Sequence, residues 1–325
     1  MLSRLPSVDH PDLLVGSATS DDAAVWKRPG GPALVATADF FTPIVDDPVV
    51  WGRIAAANAV SDVYAMGGRP LFGLNLVAWP SDQLPLDLLG QVLLGGAAAA
   101  AEGGWVVAGG HTVDGPEPMY GMAMTGEVDP DRILANRGGR PHQALVLTKP
   151  IGTGLLATAV KRSDPDAVLD GGWLHDTYDQ GVAEMSRLND IAAEVALSYG
   201  ATAATDVTGF GLLGHLHELA LASGLSAVIE TGRVPRLRDL ATLLDRGFIP
   251  GGTQRNLSHL EPHLIGGSLD DRIVLADAQT SGGLLFSCEL SAAEEAAAAL
   301  VERGHAASVI GSLRPAAPGT ITIDP

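Results

Sequence analysis

The sequence predicts a two-domain protein of mixed α+β and α/β type, and three observations carry this. At 325 residues it is long enough for two separate cores. Strand-like and helix-like stretches alternate along both halves, which is the pattern of sheets covered by helices. Forty glycines, with many alanines, point to tight turns and closely packed helices.

In the first half, "ALVATADFF" (33–41) is β-prone and reads as a strand. "DPVVWGRIAAANAVSDVYAMGG" (47–68) has apolar residues at helical spacing, an acidic start and a Gly-Gly stop. "LFGLNLVAW" (71–79) reads as a strand and "LDLLGQVLLGGAAAAAEGG" (86–104) as a helix despite its internal glycines. "WVVAGG" and "YGMAMTGEV" give two more strands, and the polar, turn-rich stretch 130–143 reads as a linker.

The second half repeats the style. "ALVLTKP" is a strand, "GTGLLATAVKR" a helix, and "DQGVAEMSRLNDIAAEVALSYG" (179–200) one long amphipathic helix. A helix over 210–224 precedes the strand "SAVIE". "GGLLFSCEL", "SAAEEAAAALVERG", "AASVIGSL" and "TITID" close the chain as strand, helix, strand and strand. Each domain is expected to be a sheet with helices on one face.

A formal net charge of −18 argues against a nucleic-acid partner, because an acidic surface repels phosphates. A phosphorylated small molecule remains open, provided that cations neutralise it locally. No apolar run reaches 18 residues, so no membrane span is expected. The start "MLSRLPSVDHPD" lacks the apolar stretch of a secretory signal. The single cysteine, Cys288, rules out an intrachain disulfide and a thiolate metal site. These features together predict a cytoplasmic protein.

Aspartates recur at element ends. "ATSDDAAV" (18–25) holds Asp21 and Asp22, "TADFF" holds Asp39, and "NAVSDVYAMGG" holds Asp62. "AGGHTVDGPEP" contains Gly109, Gly110, His111, Thr112 and Asp114, and "TDVTGFGLLGH" contains Asp206. Singly, each has an ordinary explanation: turns for Asp21, Asp22 and Asp39, a solvated helix position for Asp62, a structural histidine for His111, a helix cap for Asp206. Jointly, hard carboxylate oxygens without His or Cys partners suit Mg²⁺ bound through substrate phosphates. "AGGHT", read as a Gly-rich turn, and the helix start after Asp206 would offer backbone donors to anionic oxygens. Neither a P-loop nor a kinase glycine loop is present.

These segments, with "GRIAAANAVSDVYAMGGRPLFGLNLVAWP", "PGGTQRN" and "DAQTSGGLL", resemble selenophosphate synthetase (selenide, water dikinase) from about Leu13 onward. Its superfamily includes aminoimidazole ribonucleotide synthetase, thiamine-monophosphate kinase and a hydrogenase-maturation protein. The resemblance implies a homodimer whose N-terminal domains (1–135) pair into a shared β-barrel, with each C-terminal α/β domain (141–325) over the ATP cleft. It implies conversion of ATP, selenide and water to selenophosphate, AMP and phosphate. It assigns Mg²⁺ to Asp22, Asp62 and Asp206. It assigns ATP to Thr19, Ser20, Asp21, Asp39, Asp62, Gly110, His111 and Thr112. Another small-molecule kinase of the superfamily and a non-catalytic ATP-binding paralogue stay open as alternatives.

The sequence departs from the family at one place. The family carries Cys or selenocysteine just before a Lys in a glycine-rich N-terminal segment ahead of the stretch matching "DLLVG". Here the first lysine is Lys27, and Cys288 lies in an apolar strand pattern where a small core residue is expected. No residue of the sequence is therefore assigned as nucleophile. The expectation is of a natural protein that begins upstream of Met1, with an in-frame UGA read as a stop.

Overall fold

The computed structural model describes residues 10–16 and 21–325. The first half builds a sheet from β1 (Leu13–Val15), β2 (Ala24–Trp26), β3 (Ala33–Phe41), β4 (Arg69–Trp79), β5 (Val106–Asp114) and β6 (Met119–Val128). Their spatial order is β1-β2-β3-β6-β4-β5. Only β4 and β5 run parallel; the other neighbours are antiparallel.

Two helices pack on this sheet, α1 (Pro48–Ala65) and α2 (Leu86–Gly103). Asp47 starts α1 by accepting the Val50 N–H at 2.9 Å, and Pro48 occupies the first turn, where its missing N–H costs nothing. From Ile54 to Ala65 every residue of α1 is buried, so the helix is enclosed on all sides. The glycines that seemed to weaken α2 explain how it sits. A Cβ on Gly95 would lie 2.0 Å from the Val49 carbonyl oxygen, and one on Gly52 would lie 1.9 Å from that of Val92. The two helices touch backbone to backbone, and α2 gives up some helix propensity for that approach.

The second half builds a mixed sheet from β7 (Ala144–Leu147), β8 (Ala203–Asp206), β9 (Ser226–Glu230), β10 (Leu264–Gly266), β11 (Leu284–Cys288), β12 (Ser308–Arg314) and β13 (Ile321–Asp324). The order is β10-β13-β9-β12-β7-β11-β8. Its helices are α3 (Thr153–Arg162), α4 (His175–Ser186), α5 (Asp190–Ser198), α6 (Gly211–Ala222), α7 (Leu240–Asp245), α8 (Gly251–Leu260), α9 (Leu269–Leu275) and α10 (Leu290–Glu302).

Side chains alternate across its central strands, as strand geometry requires. Val146, Leu284, Phe286 and Cys288 join the core that contains α1. Leu145, Leu147 and Leu285 join a second core with α3 and α6. The expectation of helices on one face therefore fails here, because this sheet is covered on both sides. No helix among the described residues is long and apolar enough to cross a membrane.

Three further expectations are corrected. The stretch 179–200 is two helices, because Arg187 turns extended (ψ 130) and α5 starts afresh after Asn189, whose side chain makes no capping bond. "AGGHT" is extended within β5 and not a turn; Gly109 (φ 138) and Gly110 (φ 156) adopt backbone shapes that L side chains avoid. Asp206 ends β8 and caps nothing, since α6 begins at Gly211 after Phe210.

Candidate active site

The junction between the two sheets gathers Asp22, Asp39, Asp62 and Asp206. Asp39 sits on β3, Asp62 on α1, Asp206 at the end of β8, and Asp22 just before β2. Thr37 of β3 donates to Asp62 Oδ2. Asn58, one turn before Asp62, donates to Asp39 Oδ2 at 2.8 Å. Thr205, next to Asp206, donates to Asp22 Oδ1 at 2.9 Å.

A neutral histidine stands behind Thr205. The Thr208 N–H points at His215 Nε2 (3.1 Å), which leaves Nδ1 to carry the proton toward Thr205 Oγ1 at 3.4 Å. Burial pulls this imidazole down to about 4, so it stays uncharged.

All four carboxyls are pushed upward. Burial is the main cause for Asp22, followed by the Asp206 charge; for Asp62, burial is followed by the charges of Asp206, Asp39 and Asp22. Burial likewise raises Asp39, while Asn58 works against it. Asp206 rises to about 6 by burial, against a hydrogen bond from Ser61. None of the four takes part in an ion pair among the described residues. The charge of Lys149 only partly offsets Asp206, and four carboxyls this close repel one another unless a cation or protons intervene.

The donor set suits Mg²⁺. It is all oxygen, and the buried Asp206 Oδ2 has no hydrogen-bond partner. Among the described residues no three His, Cys, Asp or Glu side chains form a ready cage for a bare ion. Mg²⁺ needs none, because it keeps waters and completes its shell with substrate phosphates.

The "DAQTSGG" segment closes the site from the second half. Asp277 accepts the Gly154 and Leu155 N–H groups, and Gln279 accepts those of Gly152 and Thr153, so together they cap α3. Burial raises Asp277 to about 7. Further on, the Ser281 N–H donates to Asn58 Oδ1 at 3.0 Å. Gln279 and Thr280 also line a cleft of ≈ 1040 Å³, with Lys161 and Arg162 along it.

Of the other sequence candidates, Thr19 and Ser20 lie outside the described residues. The Asp21 carboxylate accepts the Asn136 N–H at 2.7 Å, fastening the site's rim to the linker. Gly110, His111 and Thr112 are exposed on β5, at the far edge of the first sheet. The registers align Asp39 with Met122, Met122 with Asn75, and Asn75 with Gly110. Three strand spacings, about 14 Å, therefore separate β5 from the Asp39 strand. Cys288 is fully buried, and burial raises its thiol to about 11, as suits a core residue.

Sequence reasoning missed Thr37, Asn58, Ser61 and Thr205, the hydrogen-bonding partners of the carboxylates. One signal was visible: Asn58 and Ser61 interrupt the Ala- and Val-rich face that carries Asp62.

Comparisons with known proteins identify the family. Residues 20–128 match the family "AIR synthase related protein, N-terminal domain", and 140–324 match its C-terminal domain. A selenide, water dikinase of Myxococcus xanthus (strain DK1622) is 44% identical over 98% of this chain and 90% of its own length. One from Carboxydothermus hydrogenoformans is 44% identical over 96% of this chain and 89% of its own. Solved structures share the fold at lower identity. Thiamine-monophosphate kinase from Stenotrophomonas maltophilia K279a has a TM-score of 0.67 and 19% identity, covering 97% of this chain and 92% of that one. Hydrogenase maturation protein HypE in complex with ATP has a TM-score of 0.66 and 22% identity, covering 97% and 87%. This chain belongs to the selenide, water dikinase family, on the AIR synthase-related fold.

Proposed function

We propose that this protein transfers the γ-phosphoryl group of ATP to selenide and then hydrolyses the remaining ADP, giving selenophosphate, AMP and phosphate. The observation that carries the reading is the unneutralised group of Asp22, Asp39, Asp62 and Asp206, in a chain 44% identical to selenide, water dikinases. Mg²⁺, when bound, would neutralise the phosphate oxygens and the leaving group.

The chain's own residues do the positioning. Asp22, Asp62 and Asp206 would hold Mg²⁺, and Asp21, Asp39 and Asp62 would bind the nucleotide. Thr37, Asn58 and Thr205 fix carboxylate directions, so little reorganisation is left for the transfer itself. Selenide is a strong nucleophile and needs alignment with the γ-phosphorus more than activation. The reading places the protein in the cytoplasm, with ATP.

Incubating the complete gene product anaerobically with Mg-ATP and selenide tests this. Phosphorus NMR is expected to find selenophosphate and phosphate, with AMP as the nucleotide. ADP as the final nucleotide would favour another kinase of the superfamily. Tight nucleotide binding without turnover would favour the regulatory paralogue.

The first sheet supports a proposed homodimer. Strand β5 is an exposed edge, and Val106 at its start is 62% exposed. Such an edge invites pairing with another copy. A homodimer closing the two sheets into one barrel would cover it and bring Gly110, His111 and Thr112 toward a partner's nucleotide. Sedimentation is expected to report a dimer at micromolar concentration; a clean monomer there sinks the shared barrel.

A further inference from the structure

We propose that Lys149 is a positioning residue for phosphoryl transfer, gripping two peptide carbonyls so that Asn189 and Ser281 hold α1 in the register its carboxylates need. The inference rests on the function proposed above.

Lys149 follows β7 and is 1% exposed. Its Nζ donates to the Arg187 carbonyl at 2.7 Å and to the Ser281 carbonyl at 3.0 Å. No carboxylate forms an ion pair with it among the described residues. A buried ammonium is costly, and plain packing at this point would be met by Leu or Met.

Both carbonyls belong to irregular backbone. Arg187 is where α4 stops, and Ser281 has a left-handed φ of 49. One side chain thus ties the α4–α5 break to the "TSGG" turn. The turn has no room to drift: a Cβ on Gly282 would lie 2.0 Å from the Val207 carbonyl oxygen, and one on Gly283 would lie 2.5 Å from the Lys149 backbone nitrogen.

Each irregularity then presents a donor to α1. Asn189 Nδ2 donates to Ser61 Oγ at 2.8 Å and to the Gly282 carbonyl at 2.9 Å. The Ser281 N–H donates to Asn58 Oδ1. Asn58 in turn donates to Asp39 Oδ2, and Ser61 lies close enough to Asp206 to pull its carboxyl downward. Lys149 thus reaches Asp39 by hydrogen bonds and one peptide unit, through Ser281 and Asn58, and reaches Ser61 through the 187–189 backbone and Asn189; it touches no reacting atom.

The test compares the full chain with Lys149→Met and Lys149→Arg, by amide hydrogen exchange and by selenide-dependent ATP consumption. In Lys149→Met, exchange over 187–189 and 280–283 is expected to quicken at least tenfold. Its kcat is expected to fall at least tenfold with KM for ATP within threefold, and Lys149→Arg to recover part of both. Unchanged exchange and kcat overturn the proposal, as does a loss confined to KM. A general packing defect would instead quicken exchange across the whole second sheet. If Lys149→Met does not fold, Asn189→Ala decides: a lower kcat at steady KM supports the proposal, and an unchanged kcat overturns it. Exchange needs no turnover, so a parent protein that consumes no ATP with selenide sinks the proposed function and still leaves the grip on the two segments decided.

Discussion

Asp206→Asn is expected to fold, keep its Ser61 contact and lose about 10²–10³ in turnover, the usual loss for one strong transition-state contact. The side chain is 1% exposed, and its Oδ2 is the carboxylate oxygen left without a hydrogen-bond partner. Asparagine keeps the shape and removes the charge that would hold Mg²⁺ against phosphate. Stability should rise in the metal-free protein. Asp206 sits at about 6 against an ordinary 3.8, and two units amount to on the order of 3 kcal/mol, now relieved. Steady-state kinetics beside a thermal melt check both halves. Near-parental turnover by the folded variant would remove Asp206 from the metal site.

The second large effect is a linkage between pH and ligand. Asp22, Asp39 and Asp62 are raised by burial, Asp206 to about 6 and Asp277 to about 7. Between about pH 4 and 7 the native protein therefore holds protons that the unfolded chain has released. Stability of the metal-free protein falls as pH rises through that window. Lys149 acts above it: lowered to about 7 by burial, it makes stability rise again between about pH 7 and 10. A shallow minimum near neutrality is expected in melting temperature. On the proposed function, Mg-ATP bound at the four carboxylates would displace their protons, so its stabilising shift should be larger at pH 7.5 than at pH 5. Asp206→Asn should flatten the pH slope. Equal ligand-induced shifts at both pH values would mean that the site carboxylates hold no extra protons.

Much of this was legible in the sequence. The strands 33–41 and 71–79 and the helices 47–68 and 86–104 follow from periodicity and end signals, and the structure places them within a few residues. Asp22, Asp39, Asp62 and Asp206 each have an ordinary explanation in the sequence and are picked out only as a joint pattern and by the family resemblance; the structure gathers all four at one junction. What escaped was long-range. Nothing local says that the 179–200 pattern breaks at Arg187; the break is held by Lys149, 38 residues away. "AGGHT" carries every mark of a turn, yet β4 offers it a parallel partner and the glycines tolerate the extended shape. Asn58 and Ser61 looked like dilution of an apolar helix, because their partners Ser281 and Asn189 come from the other half of the chain.

The bond from Ser281 to Asn58 spans 223 residues, and that from Thr205 to Asp22 spans 183. A ribosome adding about 5–20 residues per second makes α1 roughly 11–45 s before it makes Ser281. During that interval the helix carries Asn58, Ser61 and Asp62 into a core half built, with no second sheet to receive them. The acidic residues are then open to water and easily tolerated, while the apolar flank of the same helix is exposed to other chains. The part of the molecule that does its chemistry is the last to be assembled, and the nascent first half is the form most in need of a chaperone's cover.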